Sequence, residues 1–279
     1  MSNWIEIKAC FETAPPDWSL FVDAFDRFGC PGSIQCDSPP ALSAYLVEVP
    51  GQAERARELS DELIRLGAQT VQIETVPDED WSEMWKVHFK PRQIGARIMI
   101  RPTWEDPTPV PLQNIEIVLD PGQAFGTGDH PTTRLCLELM QEIPIQGASV
   151  YDLGCGSGIL AIAACKLGAA SVFASDSDAT SVIVSRQNSL LNEVNFEAEQ
   201  GEGFLRNEPY DVVLSNIISA TLIRLAPDAQ QQVKRGGFWL VSGIIEGNWP
   251  DVRKAAEQCG FTLEKQLKED EWIGAVFRL

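Results

Sequence analysis

Glycines and acids at a fixed spacing mark the first segment of this chain that could do chemistry. The run Val150-Tyr-Asp-Leu-Gly-Cys-Gly-Ser-Gly158 places Asp152 in a short apolar stretch and three glycines in the turn that follows. Glycine has no side chain, so such a turn lets a ligand lie against the main chain. Asp176 follows eighteen residues later, after a second apolar run, where a carboxylate can accept hydrogen bonds from a ribose. The spacing predicts a nucleoside site on a strand–turn–helix unit, and a glycine turn used only for packing is the alternative.

The glycine spacing differs from that of nicotinamide-binding folds. Gly-x-Gly-x-x-Gly would need a third glycine at residue 159, where this chain has isoleucine. The run Asp-x-Gly-x-Gly-x-Gly, which includes Gly154 and Gly156, instead resembles the first motif of S-adenosylmethionine-dependent methyltransferases. This resemblance implies a site for a nucleoside joined to an amino acid, without a pyrophosphate cradle. A nicotinamide oxidoreductase remains an alternative, and binding of S-adenosylhomocysteine compared with NAD would distinguish the two.

A polar, glycine-rich loop precedes this unit. Residues 120–133 read Asp-Pro-Gly-Gln-Ala-Phe-Gly-Thr-Gly-Asp-His-Pro-Thr-Thr, in which Pro131 suits the first position of a helix. The free N–H groups of that helix start, with the Thr132 and Thr133 hydroxyls, face whatever lies at its end. Phe125 could lie across an adenine or close over a site. The alternative is a loop with a good helix start and no ligand.

The third segment is an apolar strand that ends in an amide, Tyr210-Asp-Val-Val-Leu-Ser-Asn216. Ligands of open α/β sheets bind beyond the carboxyl ends of strands near the switch point, where Asp152 and Asn216 would both lie. The amide oxygen of Asn216 can accept a hydrogen bond from an attacking amine, but it cannot take a proton at neutral pH. An asparagine that caps the following helix is the alternative.

Two domains with different patterns carry these segments. Strand-like alternation and helix-like spacing in the first domain give strand 4–9, helix 17–28, strands 33–36 and 43–49, helix 53–66 and strand 70–76. This β-α-β-β-α-β order is the ferredoxin-like arrangement. We therefore expect a ferredoxin-like α+β domain over 1–76 and a linker region over 77–113. Within the linker we expect a strand over 96–101, and Trp81 and Trp85 belong to an aromatic helix stripe that we expect to pack on a domain face.

Strand and helix patterns alternate over the remaining domain, 114–279. The predicted strands are 114–119, 149–153, 171–175, 196–200, 210–215, 237–242, 261–264 and 272–278, and the predicted helices are 131–141, 158–167, 179–192, 219–234 and 248–259. This alternation predicts an α/β fold with a mainly parallel sheet covered on both faces. The last two strands have no helix between them, so they must pair antiparallel. A parallel sheet that ends with one reversed strand resembles the seven-stranded, Rossmann-like sheet of class I methyltransferases.

Composition excludes several classes of protein. The longest apolar runs of this 279-residue chain fall far short of the roughly 18 residues that span a bilayer, and no signal-peptide pattern opens it. Seven scattered cysteines without a Cys-x-x-Cys pair, and only two histidines, predict no metal site and reduced thiols in a cytoplasm. The net charge of −18 disfavours unaided binding to nucleic-acid backbones and favours basic partners, with solubility alone as the alternative.

The three segments together resemble the PrmA family, which methylates the large-subunit ribosomal protein numbered eleven. The likeness also covers Asp80-Trp-Ser-Glu-Met-Trp-Lys-Val-His-Phe-Lys-Pro in the linker and Glu271-Trp272 near the end. The resemblance implies a cytoplasmic enzyme that transfers methyl groups from S-adenosylmethionine to lysine side chains and to the N-terminal α-amine of that basic ribosomal protein. It also implies that the first domain recognises the substrate.

The residues that could contact the methyl donor follow from the resemblance and from the motifs. The resemblance implies cofactor contacts at Thr133, Gly154, Asp176 and Asn216, and the loop and the glycine turn add Phe125, Asp152 and Gly156. Asn216 would also act in catalysis by orienting the amine.

Two other functions remain open from the sequence. One is a methyltransferase that acts on another protein amine or on a small molecule. The other is a non-catalytic ribosome-binding or RNA-binding module, which the charge of −7 over residues 1–76 and the lack of a basic–aromatic strand pattern disfavour.

Overall fold

The computed structural model of this chain divides into two compact units, Met1–His88 and Phe89–Leu279. The structure describes residues 3–15, 18–30, 33–37, 39–47, 51–77, 90–107, 111, 114–119, 126 and 128–279. The predicted aromatic helix with Trp81 and Trp85, and the loop residue Phe125, lie outside these ranges.

The first unit has the predicted β-α-β-β-α-β order. Its elements are β1 (Asn3–Cys10), α1 (Ser19–Arg27), β2 (Ser33–Asp37), β3 (Pro40–Val47), α2 (Gln52–Leu66) and β4 (Thr70–Pro77). The strands form one antiparallel sheet in the order β2-β3-β1-β4, which is the ferredoxin-like topology. Alternate strand residues such as Ile7 pack with Phe25, Leu59 and Leu63 of the two helices to form its core.

The second unit contains a seven-stranded sheet. Its strands are β8 (Ser149–Leu153), β9 (Ser171–Asp176), β10 (Glu197–Gln200), β11 (Tyr210–Asn216), β12 (Val233–Ile245), β13 (Thr262–Glu269) and β14 (Trp272–Arg278). Their order is β10-β9-β8-β11-β12-β14-β13, with parallel pairing from β10 to β12. β14 runs antiparallel to both neighbours, as we predicted because no helix separates β13 from β14. This is the predicted class I arrangement.

Helices cover both faces of this sheet. They are α3 (Pro131–Met140), α4 (Ile159–Lys166), α5 (Ala179–Leu191), α6 (Ser219–Gln232) and α7 (Trp249–Gln258). One core layer joins α3, α4 and α5 to the sheet through residues such as Leu137 and Ile162. The other joins α6 and α7 through residues such as Leu222 and Val252. The strands between the two layers are buried on both sides, which explains their continuous apolar sequences.

A small second sheet differs from the sequence prediction. It contains β5 (Arg92–Ile94), β6 (Ile98–Arg101) and β7 (Ile115–Val118), in that order. The segment 114–119 is a strand, but it pairs parallel with β6 and does not join the large sheet. The Arg101 guanidinium, which is buried, pairs with Glu116 across this sheet at 2.8 Å. The strand predicted over 96–101 is confirmed as β6, but residues 92–101 belong to the second unit and not to a linker.

Several predicted ends also shift. α6 ends at Gln232 and not at 234, because Val233 already has extended backbone angles. β12 consequently begins at Val233, before the predicted start at 237. β13 extends to Glu269, since Thr262–Glu269 alternates exposed and half-buried side chains as the edge strand of the sheet.

Candidate functional site

A cavity of about 670 Å³ lies at the carboxyl ends of the central parallel strands. Five of the residues predicted to contact a nucleoside ligand line it together: Thr133, Gly154, Gly156, Asp176 and Asn216. Parallel strands point their carboxyl ends to the same edge of a sheet, so β8, β9 and β11 bring these distant segments together. The volume falls within the roughly 300–1,000 Å³ that ligand sites occupy.

The glycine turn after β8 forms the floor of the cavity. Gly154 has a φ of +79°, and a Cβ added there would lie 2.4 Å from Cγ2 of Ile217. Only glycine fits this position without displacing Ile217. The Gly154 and Cys155 N–H groups donate to the Ser175 carbonyl at 2.8 and 3.0 Å, which fixes the turn on the end of β9.

Asp176 forms the wall beside this turn. Its Oδ2 accepts the Gly156 N–H at 2.9 Å, and its Oδ1 accepts the Asp178 N–H at 3.0 Å. These bonds orient a carboxylate that is half-buried and lines the cavity. Each oxygen keeps a further lone pair, so the group can also accept hydrogen bonds from a diol such as a ribose.

Asn216 lies on the opposite side of the glycine turn, at the end of β11. Its Nδ2 donates to Oγ1 of the buried Thr133 at 3.4 Å. Its Oδ1 is buried and has no hydrogen-bond partner among the described residues. Leaving a buried acceptor unsatisfied costs about 1–3 kcal/mol, so the atom is suited to a donor on a ligand in the cavity. The helix-capping alternative is wrong, because Ile218 occupies the N-cap of α6.

Asp152 occupies a different position from the other predicted residues. Its side chain is fully buried, it does not line the cavity, and its Oδ2 accepts the Ala161 N–H in the first turn of α4 at 3.0 Å. Burial raises the pKa of this carboxyl to about 7, with a smaller contribution from the charge of Asp176. Its contacts join the end of β8 to the start of α4 underneath the glycine turn.

His130 and Trp272 close another side of the cavity. His130 is the N-cap of α3, and its Nδ1 lies 2.8 Å from Oγ1 of Thr132. Its ring meets Trp272 edge to face, with the ring centroids 4.8 Å apart. Burial and the Arg134 guanidinium lower the pKa of His130, partly offset by Glu271. The imidazole is therefore uncharged at neutral pH and fixes the helix start.

Two parts of the cavity wall were not predicted from the sequence. The first is the loop Gly201-Glu-Gly203 after β10, whose Gly201 N–H donates to the Asp176 carbonyl at 2.9 Å. Its signal was a pair of glycines directly after a predicted strand. The second is Gly243 in β12, where an added Cβ would lie 2.4 Å from the Ile217 carbonyl oxygen. No spacing relates Gly243 to the other motifs, so only the sheet order reveals it.

The described residues show no group of three or more histidine, cysteine or acidic side chains that could hold a metal ion. The seven cysteines, all of which lie in described ranges, form no disulfide with one another. No helix in the described ranges is long and apolar enough to cross a membrane.

Comparison with known proteins gives the family. A family model described as ribosomal protein L11 methyltransferase (PrmA) matches residues 22–279. The chain belongs to this family. A ribosomal protein L11 methyltransferase from Caldanaerobacter subterraneus subsp. tengcongensis is 42% identical over 228 residues, which cover 81% of this chain and 73% of that protein. One from Pelobacter propionicus is 40% identical over 274 residues, which cover 93% and 87%.

A solved structure agrees with this assignment. The ribosomal protein L11 methylase from Lactobacillus delbrueckii subsp. bulgaricus is similar to 68% of this chain and 98% of its own, with 31% identity and a TM-score of 0.64. These findings confirm the predicted family resemblance and the predicted methyltransferase fold. This chain is therefore a methyltransferase.

Proposed function

We propose that this chain transfers methyl groups from S-adenosylmethionine to amines of ribosomal protein L11, namely lysine side chains and the N-terminal α-amine. Family membership supports the methyl donor and the L11 substrate. The observation that carries the amine acceptor is the buried Oδ1 of Asn216, which lines the cavity and has no partner among the described residues. An amide oxygen in this position accepts a hydrogen bond from an N–H group and leaves the nitrogen lone pair free to attack.

The cavity residues fit the methyl donor. We assign the ribose to Asp176, whose two oxygens are already oriented by main-chain N–H groups. The methionine half would follow the glycine turn at Gly154 and Gly156, where no side chain blocks the main chain. Thr133 would hold Asn216 from behind through the bond to its Nδ2. Phe125 stays a predicted contact, since it lies outside the described residues.

The reaction needs alignment and an uncharged amine. S-adenosylmethionine supplies a methyl group that its sulfonium already activates, so the chain must orient the acceptor. A free lysine has a pKa near 10.4, and neutralising it at pH 7 costs about 4.6 kcal/mol, compared with about 1 kcal/mol for an α-amine. Enclosure in the cavity lowers this cost, because desolvation disfavours the charged ammonium.

The proton leaves to water in this proposal. His130 is the one imidazole among the described cavity residues, and its Nδ1 is already bonded to Thr132. Asn216 cannot take a proton at neutral pH. Methylation of lysine should therefore keep rising with pH well above 7, while methylation of an α-amine should level off earlier. A sharp optimum near pH 6.5, lost on His130→Ala, would show an ionising base instead.

Mass spectrometry of L11 tests the acceptor directly. Purified L11 is incubated with the enzyme and S-adenosylmethionine, and modified positions are mapped by peptide sequencing. The expected result is methylation at lysine side chains and at the N-terminal amine, with a rate about 100-fold lower for Asn216→Ala because the amine loses its alignment. Asn248→Ala is the matched control, since that exposed asparagine makes no side-chain cap bond at the start of α7. An unmodified L11 would contradict the substrate, and methyl groups only on other residue types would contradict the amine assignment.

We also propose that residues 1–76 recognise the substrate and that 114–279 form the catalytic domain together with the strands of 92–101, so that the linker is shorter than the predicted region 77–113. The first 76 residues carry a net charge of −7, which suits a basic ribosomal protein and disfavours nucleic-acid backbones. The site of action would be the cytoplasm, where ribosomal proteins are made and assembled. Deleting residues 1–76 should abolish L11 methylation and leave the affinity for S-adenosylhomocysteine unchanged. Full L11 methylation by the truncated enzyme would contradict this assignment.

A further inference from the structure

We propose that two buried hydrogen bonds, Tyr151–Ser175 and Trp239–Ser215, act as positioning pairs for the two halves of the site. Ser175 directly precedes Asp176, and Ser215 directly precedes Asn216. This inference rests on the proposed roles of Asp176 in binding the nucleoside and of Asn216 in orienting the amine.

The pair on the nucleoside side joins three segments. The hydroxyls of Tyr151 and Ser175 lie 2.9 Å apart, and both residues are completely buried. The Tyr151 oxygen also accepts the Leu205 N–H at 3.0 Å. One phenol therefore links β8 to the end of β9 and to the loop that follows β10.

The bond from the Leu205 N–H connects Tyr151 to the wall of the cavity. The Leu205 side chain packs on Gly201, where an added Cβ would lie 2.5 Å from Cδ2 of Leu205. Gly201 in turn donates its N–H to the Asp176 carbonyl and lines the cavity. Tyr151 thus holds Asp176 and the neighbouring Gly201–Gly203 wall in one arrangement, without touching the ligand space itself.

The pair on the acceptor side is built in the same way from different residues. Nε1 of Trp239 in β12 donates to Oγ of Ser215 in β11 at 3.1 Å. Both side chains are almost completely buried, at 1% and 0% exposure. The bond holds the β11 backbone in place directly before Asn216, because a buried N–H donor has no water to bond with if the serine shifts.

Neighbouring aromatic residues make similar ring contacts without these bonds. Tyr210 packs on Tyr151 with the ring centroids 5.2 Å apart, and Trp249 packs on Phe277, which also contacts Trp239. The hydrogen bonds to serine are therefore not needed for aromatic packing as such. Tyr210 and Trp249 serve as matched controls for Tyr151 and Trp239.

The test asks, in the full-length enzyme, whether loss of each pair affects only its own half of the site. Affinity for S-adenosylhomocysteine is measured by calorimetry, and kcat is measured with L11 at saturating S-adenosylmethionine. Tyr151→Phe removes the hydroxyl that bonds Ser175 and Leu205. It should raise the Kd roughly three- to tenfold, because the segment that carries Asp176 is less firmly held, and leave kcat within about twofold. Trp239→Phe should lower kcat by roughly tenfold, as a small misplacement of Asn216 does, and leave the Kd within about twofold. Tyr210→Phe and Trp249→Phe should change neither quantity.

A second set of variants distinguishes the loss of these bonds from a general folding defect. Ser175→Ala and Ser215→Ala remove the two bonds to serine with little change in volume. Ser215→Ala should reproduce the effect of Trp239→Phe. Ser175→Ala keeps the Leu205 bond to the phenol, so it should raise the Kd in the same direction as Tyr151→Phe but by less. Faster hydrogen exchange of the Leu205 amide in Tyr151→Phe would report the loosened loop. Equal changes in Kd and kcat in all four variants, or no change in either, would overturn the proposal. Asp176→Ala with an unchanged Kd would overturn the proposed function as well, so the two failures are distinguishable.

Discussion

Two carboxylates at the ends of neighbouring strands have opposite environments. Asp152 at the end of β8 is fully buried, bonds the first turn of α4, and has a pKa raised to about 7 by burial. Asp176 at the end of β9 lines the cavity and accepts two main-chain N–H groups. The sequence motif presents both as candidate ligand contacts. Their surroundings indicate different roles: we propose that Asp152 stabilises the glycine turn and that Asp176 binds the nucleoside.

The difference follows from the direction of the side chains. Side chains along a strand point alternately to the two faces of a sheet. The position of an acid in its strand therefore decides whether its side chain packs under a helix or lies at the carboxyl end of the sheet. Asp152 precedes the last residue of its strand and points into the layer under α4. Asp176 is the last residue of β9 and points beyond the sheet edge, into the cavity.

The largest effect in this comparison should come from Asp176→Ala. Two charge-assisted hydrogen bonds to the ribose would be lost, and the Kd for S-adenosylhomocysteine should rise by about 100-fold. Calorimetric titration measures this. Asp152→Asn, by contrast, should change the Kd by less than about threefold, because its carboxyl does not line the cavity. An equal loss of affinity in both variants would remove the distinction between the two acids.

The next effect is the pH dependence of stability that Asp152 contributes. Its folded-state pKa of about 7 lies above the value near 3.9 of an unfolded chain, so the folded protein binds this proton more tightly. Its contribution to stability is present at low pH and is lost as the pH rises through about 7. From pH 5 to pH 8 the unfolding free energy of the wild type should fall by about 2.5 kcal/mol relative to Asp152→Asn. Urea titrations of both proteins at each pH measure the difference, and a constant difference would refute the assignment.

The smallest effect should come from Asp178, which lies two residues after Asp176 and does not line the cavity. Asp178 caps α5 by accepting the Thr180 and Ser181 N–H groups at 3.0 and 3.1 Å, and these bonds lower its pKa. Asp178→Ala should lower the unfolding temperature by about 2–4 °C and leave the Kd for S-adenosylhomocysteine unchanged. A loss of affinity that approaches that of Asp176→Ala would show that the whole acidic segment, and not one carboxylate, holds the nucleoside.

The sequence predicts much of this site because its main features are local. The glycines of the turn and the acid eighteen residues later lie within one strand–turn–helix–strand unit, and parallel strands must end at one edge of the sheet. The same rule brings Asn216 to that edge from a strand much later in the chain. Alternation of strands and helices predicts the layers and the antiparallel partner of the last strand.

The remaining features depend on long-range packing. Periodicity identifies 114–119 as a strand, but it cannot indicate that Ile115 pairs with Ile98 in a separate sheet. The Tyr151–Ser175 and Trp239–Ser215 bonds each span 24 residues, and both link neighbouring strands whose register the sequence does not give. The burial of Asp152 likewise depends on the helix that packs over it.

A crystal structure with S-adenosylhomocysteine tests the central claim most directly. We predict that the nucleoside lies in the 670 Å³ cavity, with the ribose hydroxyls within hydrogen-bond distance of the Asp176 carboxylate and with Oδ1 of Asn216 facing the ligand sulfur. A ligand bound elsewhere, or an Asp176 that contacts only Gly156 and Asp178 while the ribose lies on other groups, would contradict it.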